Sequence, residues 1–242
     1  MNLPILMYHR ISPQPDPGSD LTVTPGAFQT QLRYLREHGY ASITLEHLAR
    51  ACRGEARLPR RSVVITFDDA YASLLEHAHP LLTRSGYTAT VFAVAQALGR
   101  HNFWDDGKGV PRETCLGRAE LAALQGQGWE IGSHGLSHAN LAGLAPEALR
   151  RETADSRSLL EEALQSPVNV FAYPFGSWDA AARAAVAQAG YAAACAISPG
   201  TRSVTADLFA LRRVYVKPTD SNGDFARKLS GWYLAYRALK RR

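Results

Sequence analysis

Residues 62–69 read S-V-V-I-T-F-D-D, and this stretch decides the fold. A run of apolar and β-branched residues, typical of a buried strand, leads directly into the adjacent carboxylates of Asp68 and Asp69. Two neighbouring carboxylates at the end of a buried strand repel each other and lose hydration, so a cation or hydrogen bonds must compensate them. Capping of a helix that begins near Ala70 is the alternative, and one carboxylate could cap while the other binds an ion.

Other apolar runs alternate with helical patterns along the whole chain, which predicts parallel βα units. The predicted strands are residues 3–8, 62–67, 88–94, 129–132, 168–172, 192–197 and 211–216. Helix boundaries are indicated by capping residues, first-turn prolines and glycines after the last turn: Thr24, Pro25, Gly39, Pro146, Asp179 and Gly190. Because no linker or repeat interrupts this pattern, we expect residues 1–242 to form a single α/β domain.

The composition indicates a folded protein without a disulfide framework or a membrane span. Apolar residues make up 46% and charged residues 20% of the chain, which is ordinary for a globular domain. Cys52, Cys115 and Cys195 form no C-x-x-C pair, and no apolar run reaches the roughly 20 residues that span a bilayer. The first residues lack the basic and apolar regions of a signal peptide, so we expect a cytoplasmic protein.

Polar motifs fall where four predicted strands end: His9, Asp68 with Asp69, His134, and residues 174–176. In parallel α/β barrels, the carboxyl ends of the strands form the catalytic rim. One such coincidence could arise by chance, whereas four at the same predicted edge indicate a functional site.

The segment H-G-L-S-H contains His134 and His138. On a helical turn, residues four positions apart lie on one face about 5–6 Å apart, so both imidazoles could bind one ion. Two unrelated polar histidines are the alternative, because the pattern is short.

These motifs resemble those of the NodB-type polysaccharide deacetylases, carbohydrate esterase family four. The similar segments are T-F-D-D at 66–69, H-G-L-S-H at 134–138 and Y-P-F-G at 173–176. M-Y-H-R at 7–10 is similar to the subgroup that includes the biofilm poly-N-acetylglucosamine deacetylases. The resemblance covers about residues 7–216 and implies a distorted (β/α) barrel of about seven parallel strands. It also implies a metal-dependent hydrolase that removes acetyl groups from N-acetylated sugars of a polysaccharide or a lipid-linked glycan.

The resemblance implies roles for the acidic and imidazole side chains. Asp68 would be the general base, and Asp69, His134 and His138 would hold a divalent ion. Zn²⁺ is the first choice for this ion, with Co²⁺, Ni²⁺ or Mn²⁺ as alternatives. A site of this kind leaves open positions for water and for the acetyl oxygen, which the ion polarises.

The Y-P-F-G turn is implied to bind substrate. The backbone N–H of Phe175 would stabilise the oxyanion, with Tyr173 and Pro174 beside it. The family's arginine that orients the base is replaced here by Ala172, and Arg213 is the candidate substitute.

Further departures from the family pattern affect the metal site and the general acid. Gly135 replaces a serine or threonine, which removes a hydroxyl beside the metal ligands. The family's late L-x-x-H motif, which carries the acid histidine, is not found after Ile197. His9 is the candidate acid, because it follows the first predicted strand at the rim and the subgroup resemblance implies a histidine there. A histidine at the core edge bonded to backbone is the alternative. Trp104, in the long loop 99–117, could pack on a sugar ring or belong to a plain solvated loop.

The end of the chain carries most of the positive charge. The formal net charge is +5, and residues 225–242 contain six lysines and arginines and no acid, so the other residues together carry −1. This distribution argues against a nucleic-acid-binding face. We predict that residues 221–242 form a basic amphipathic helix that closes the barrel, and that the last six residues also contact an anionic membrane weakly. Its apolar stripe is Phe225, Leu229, Trp232, Tyr236 and Leu239.

The sequence is also compatible with two other functions. A related amidase could open a small cyclic amide, and a catalytically inactive protein could bind sugars. Retention of Asp68, Asp69, His134 and His138 argues against an inactive protein, since an inactive site has no need for all four.

Overall fold

The computed structural model describes residues 3–14, 20–197 and 207–230. Its strands are β1 (Ile5–Tyr8), β2 (Arg10–Ile11), β3 (Thr22–Val23), β4 (Ala41–Ile43), β5 (Ser62–Phe67), β6 (Thr90–Ala93), β7 (Glu130–Ser133), β8 (Val170–Ala172), β9 (Ala193–Ala196), β10 (Leu211–Arg212) and β11 (Val214–Tyr215). Its α-helices are α1 (Pro25–Glu37), α2 (Leu45–Cys52), α3 (His79–Ser85), α4 (Arg118–Gly126), α5 (Pro146–Arg150), α6 (Ser156–Leu164), α7 (Ala180–Gln188) and α8 (Asn222–Leu229). A π-helical segment, Leu74–Ala78, precedes α3, and another, Arg151–Asp155, joins α5 to α6.

The main sheet is parallel and nearly closes into a barrel. Its eight-strand path runs β10, β9, β8, β7, β6, β5, β1, β11, and β4 adds to β5. Only Arg213 separates β10, which pairs with β9, from β11, which pairs with β1. The two ends of the path therefore meet at this residue, and the predicted (β/α) barrel is confirmed.

Each of the seven predicted strands is observed, with one change in the last. The predicted strand 211–216 divides in two because the chain changes its hydrogen-bond partner at Arg213. The backbone N–H of Arg213 donates to Ala196 on β9, whereas that of Val216 donates to Met7 on β1. The sequence did not predict β2, β3 and β4, which are two or three residues long and too short to show a periodic pattern.

The predicted helix boundaries agree with the observed caps. The side chain of Thr24 accepts a hydrogen bond from the N–H of Ala27 at the start of α1, and that of Asp179 accepts one from Ala182 at the start of α7. These interactions satisfy N–H groups that have no partner within the first helical turn. The helix predicted after Pro146 is also present, but it contains the π-helical segment between α5 and α6.

Alternate residues of β5 face two different apolar layers. Val63 and Ile65 pack in the large core with helix residues such as Leu32 of α1. Val64 packs in a smaller core made mainly of residues from the other strands, which is the barrel interior. Because side chains alternate along a strand, Asp68 continues the face of Val64 and points into the mouth of the barrel.

The predicted C-terminal helix is described only in its first part. α8 buries Phe225 and Leu229, and Ser230 after it has an extended backbone conformation. Trp232, Tyr236, Leu239 and the last six residues lie outside the described residues, so their packing and the proposed membrane contact stay predictions. Within the described ranges, no helix is both long enough and apolar enough to cross a membrane.

Candidate active site

The barrel brings together side chains that follow three different strands. His9 follows β1, Asp68 and Asp69 follow β5, and His134 follows β7, with His138 four residues further on. Asp68, Asp69, His134 and His138 are buried, and His9 is partly exposed at the same edge. The expected convergence at the carboxyl ends of the strands is therefore present.

Asp69, His134 and His138 could hold one metal ion. One potential ligand atom from each side chain lies within 4.8 Å of the other two. The Oδ1 atom of Asp69 lies 3.3 Å from Nε2 of His138 and 3.7 Å from Nε2 of His134. This oxygen is buried and has no hydrogen-bond partner among the described residues, as expected of an atom reserved for a cation. One carboxylate and two imidazoles are a ligand set that suits zinc and similar divalent ions.

A backbone contact fixes the orientation of the His134 ring. Its Nδ1 lies 2.8 Å from the carbonyl oxygen of Ala172 on β8, so Nδ1 donates and Nε2 is left as the free acceptor. Burial lowers the pKa of His134 to about 4, which keeps the ring neutral at pH 7. A neutral ring with a fixed tautomer is the form that binds metal.

The helical turn expected for residues 134–138 is wrong. These residues form an irregular loop after β7, in which Gly135 has φ of +83° and His138 has φ of +63°. Ring centroids of His134 and His138 nevertheless lie 4.9 Å apart. The two imidazoles therefore converge through a left-handed turn of the backbone and not through a helical face.

The capping role considered for the two carboxylates is also not observed. Asp69 and Ala70 both have left-handed backbone conformations, with φ of +68° and +51°, and the next helical segment begins at Leu74. Left-handed residues other than glycine are energetically unfavourable and concentrate at functional sites. The turn sends the two adjacent carboxylates to different partners.

Asp68 is held by Arg213. Nη1 of Arg213 donates to Oδ1 of Asp68 at 2.5 Å, and Nη2 donates to Oδ2 at 2.7 Å. Burial acts to raise the pKa of Asp68, but the Arg213 guanidinium, together with His134 and His9, outweighs it and lowers the pKa below the usual value. The carboxylate is thus kept ionised in a buried site. Arg213 reaches it because it occupies the break between β10 and β11, where the sheet nearly closes.

His9 lies beside Asp68. Its Nε2 atom is 3.8 Å from Oδ2 of Asp68, and its Nδ1 atom has no hydrogen-bond partner within the part of the chain that the structure describes. Burial lowers the pKa of His9 more than the neighbouring carboxylates raise it. The backbone-bonded histidine considered as the alternative is therefore not seen, whereas its role as an acid stays a prediction.

Aromatic side chains flank His138. The ring of Trp104 stacks on His138 at a centroid distance of 4.6 Å, and the ring of Phe175 contacts it edge-on at 4.7 Å. Phe175 is 56% exposed and has a φ of +58°. The loop that carries Trp104 is attached to the residues after Asp69, since Leu116 donates to the carbonyl oxygen of Ala70. These contacts give the site an aromatic wall open to solvent.

The side chain of Tyr173 does not line the substrate site, contrary to the prediction. Its ring is fully buried, and its hydroxyl donates to the backbone carbonyl of Phe209 at 2.9 Å. The side chain is therefore part of the core and cannot bind substrate directly. Pro174 is buried as well, so Phe175 is the residue of this turn that reaches the surface.

One buried residue beside the site was missed from the sequence. Glu152 accepts hydrogen bonds from the backbone N–H groups of Leu136 and Ser137 and from the Ser137 hydroxyl. A glutamate in the middle of a predicted helix gives no local signal for this role, because its partners lie about 15 residues earlier in the chain.

Comparison with known proteins identifies relatives of the whole domain. The family model for polysaccharide deacetylases matches residues 55–194. The chain is 29% identical over 224 residues to a putative polysaccharide deacetylase, YxkH, of Bacillus subtilis, covering 92% of this chain and 74% of that protein. It is 27% identical to a poly-beta-1,6-N-acetyl-D-glucosamine N-deacetylase of Staphylococcus aureus, but this match covers 64% of this chain and only 54% of that protein.

Solved structures show the same fold. The Streptococcus pyogenes deacetylase PplD in complex with acetate superposes with a TM-score of 0.82 at 23% identity, covering 95% of this chain and 99% of that chain. IcaB from Ammonifex degensii superposes with a TM-score of 0.79 at 22% identity, covering 95% and 97%. The family match spans more than half of the sequence and includes Asp68, Asp69, His134 and His138, so the chain belongs to the polysaccharide deacetylase family.

Proposed function

We propose that this protein is a metal-dependent deacetylase that hydrolyses the acetamide groups of N-acetylated glycans. The observation that carries this proposal is that two buried sets of side chains, here called the first and the second unit, lie next to each other on the rim of the barrel. Asp69, His134 and His138 form a cation site, and Asp68 next to it is an ionised carboxylate fixed by Arg213.

The first unit would hold the ion. Asp69 supplies an ionised carboxylate because the neighbouring His138 and His134 outweigh the effect of burial and lower its pKa well below the usual value. His134 supplies Nε2, as its other ring nitrogen is bonded to Ala172. When bound, a divalent ion polarises the acetyl carbonyl and increases the acidity of a water molecule.

The second unit moves protons. Asp68 takes a proton from the attacking water, for which a fixed and ionised carboxylate is suited. As the carbon–nitrogen bond of the acetamide breaks, the amine nitrogen must receive a proton. Nε2 of His9 lies 3.8 Å from Oδ2 of Asp68, so His9 can pass on to the amine the proton that Asp68 takes from water. Acetate and the free amine are the products.

The aromatic wall would bind the sugar. Trp104 and Phe175 flank His138, so a pyranose ring resting on them would present its acetamide near the cation site. The backbone N–H of Phe175 is the candidate donor to the oxyanion. The relation to a poly-N-acetylglucosamine deacetylase makes a polymer of N-acetylglucosamine the first substrate to test, and a lipid-linked glycan the second.

The test is acetate release from N-acetylglucosamine oligomers by metal-depleted protein, with and without added Zn²⁺, Co²⁺, Ni²⁺ or Mn²⁺. We expect release only after metal is added, and loss of release with Asp68→Asn. A hydantoin-like cyclic amide serves as the competing substrate. Hydrolysis of the cyclic amide without release of acetate would establish the amidase alternative, and binding of oligomers without any hydrolysis would establish the inactive sugar-binding alternative.

A further inference from the structure

The loop between the two histidines is held through both sets of its backbone groups: the carbonyl oxygens of Gly135 and Leu136 accept from the N–H groups of Ala95 and Gln96, and its N–H groups are held by side chains. Its three intervening residues each direct a backbone N–H at a side-chain oxygen. Gly135 donates to the Ser133 hydroxyl at 3.2 Å, while Leu136 and Ser137 donate to Oε2 of Glu152 at 2.8 and 3.1 Å. Successive backbone N–H groups that point to one side form a concavity that binds an anion. In this loop the anion is the Glu152 carboxylate.

Glu152 comes from an irregular part of the neighbouring helix. It is only 7% exposed and lies in the π-helical segment Arg151–Asp155, and its Oε1 also accepts from the Ser137 hydroxyl at 2.5 Å. Single π-helical turns inside α-helices are rare and occur often at functional sites. The three hydrogen bonds to the Glu152 carboxylate replace the hydration that it loses on burial. A shift of the loop would break these bonds and leave a buried carboxylate without donors.

The absence of a side chain at Gly135 leaves room for the Glu152 carboxylate. A Cβ atom at position 135 would lie 2.9 Å from Oε2 of Glu152, and φ at this position is +83°. A side chain there would be strained and would displace the carboxylate. Glu152 therefore occupies the space next to Gly135 that a side chain at this position would need, and it binds the following two residues of the loop.

We propose that Glu152 is a positioning residue that holds His134 and His138 in the geometry needed to bind a metal ion. The inference rests on the proposed metal-dependent function. Residues that orient metal ligands typically change metal affinity by about 10- to 100-fold when they are replaced. Loss of the carboxylate would leave the N–H groups of Leu136 and Ser137 without their acceptor, and the part of the loop next to His138 would then sample other conformations.

The experiment compares zinc affinity of metal-depleted variants by competition with a chromophoric chelator. Glu152→Ala should weaken Zn²⁺ binding by roughly 10- to 100-fold. Glu152→Gln keeps an acceptor for the two N–H groups and a polar partner for the Ser137 hydroxyl, so it should restore most of the affinity. If Glu152→Ala gives too little folded protein, Glu152→Asp is the milder variant, and the same direction of change is expected.

Glu130 provides a matched control at the opposite end of β7. It accepts hydrogen bonds from the N–H groups of Leu45 and Glu46 and from the Thr90 hydroxyl, which is the same set of donor types. Glu130→Ala should lower the melting temperature without changing zinc affinity. In Glu152→Ala, by contrast, the increase in melting temperature caused by zinc should shrink as well.

The outcomes separate the two proposals. No zinc binding by the parent protein would refute the metal-dependent function itself. Zinc binding by the parent with affinity unchanged in Glu152→Ala, or weakened equally in Glu130→Ala, would refute only the positioning role of Glu152.

Discussion

Replacing Arg213 with methionine should remove the group that keeps Asp68 ionised while retaining most of the buried volume. Arg213 is 3% exposed and Asp68 is 2% exposed, and two hydrogen bonds of 2.5 and 2.7 Å join them. Methionine has no donor, so the carboxylate would be left buried beside apolar and imidazole groups. It must then either remain charged at a high free-energy cost or take up a proton.

Removing one partner of a buried ion pair typically lowers the free energy of unfolding by about 3–5 kcal/mol. The effect should depend on pH. In the parent, the lowered pKa of Asp68 contributes stability that is present above the unfolded value of about 3.9 and is lost as pH falls through the lower folded value. In Arg213→Met, burial raises the pKa of Asp68, so the loss of stability is larger at pH 7 than at pH 5 and disappears as pH falls below the unfolded pKa. Activity should fall by about 10²- to 10⁴-fold, because Asp68 loses the partner that fixes its orientation and favours its ionised form.

The assay is urea unfolding of the metal-free proteins at pH 7 and pH 5, together with acetate release. Arg183→Met is the control, since Arg183 also binds a carboxylate through two hydrogen bonds, to Asp207, but at a partly exposed site. Exposed pairs contribute about 0–1 kcal/mol. Adding Asp68→Asn to Arg213→Met should recover much of the lost stability. A loss in Arg213→Met no larger than that in Arg183→Met would refute the role assigned to Arg213.

Other predictions address His9 as the acid, the aromatic wall and the basic C-terminal residues. His9→Ala should lower kcat by about 10²- to 10⁴-fold with zinc content unchanged, and an unchanged kcat would remove His9 from the mechanism. Trp104→Ala should raise KM for oligomers by roughly 2- to 10-fold, the equivalent of about 0.5–1.5 kcal/mol of aromatic stacking, with a smaller effect on kcat. An equal KM in both proteins would place the sugar elsewhere. Deleting residues 239–242 should weaken co-sedimentation with anionic vesicles at low salt, because basic residues near such a surface contribute about 1 kcal/mol each. Equal binding with and without these residues would end the membrane hypothesis.

The sequence predicted parallel βα units because its strands carry their own signal, and the family resemblance implied the barrel. Five of the strands in the main sheet are fully buried, and their continuous apolar runs stand out against the helical patterns between them. The paired carboxylates could be located for the same reason, since they follow such a run directly, whereas the H-G-L-S-H segment follows β7, which reads E-I-G-S, and was located by its two histidines. The closure of the sheet at Arg213 could not be predicted, because it depends on which strand each half of residues 211–216 pairs with.

Long-range polar contacts account for what the sequence did not provide. Glu152 lies in the π-helical segment Arg151–Asp155, which continues into α6, and α6 packs against β7, so the carboxylate reaches the histidine loop only in the folded chain. The helical reading of His134 and His138 was wrong because a spacing of four also fits a turn with left-handed residues, and Gly135 was the signal that favoured such a turn. Tyr173 was assigned to the substrate site from its neighbours in the motif, although strand alternation turns its ring into the core.

The zinc content of three purified proteins tests the central claim most directly. We expect about one equivalent of zinc in the parent and in Asp68→Asn, because Asp68 is bound to Arg213 and is not a ligand, and none in His134→Ala. Deacetylation should be lost in both variants. A stoichiometric zinc ion retained by His134→Ala would contradict the assignment of Asp69, His134 and His138 as the metal site.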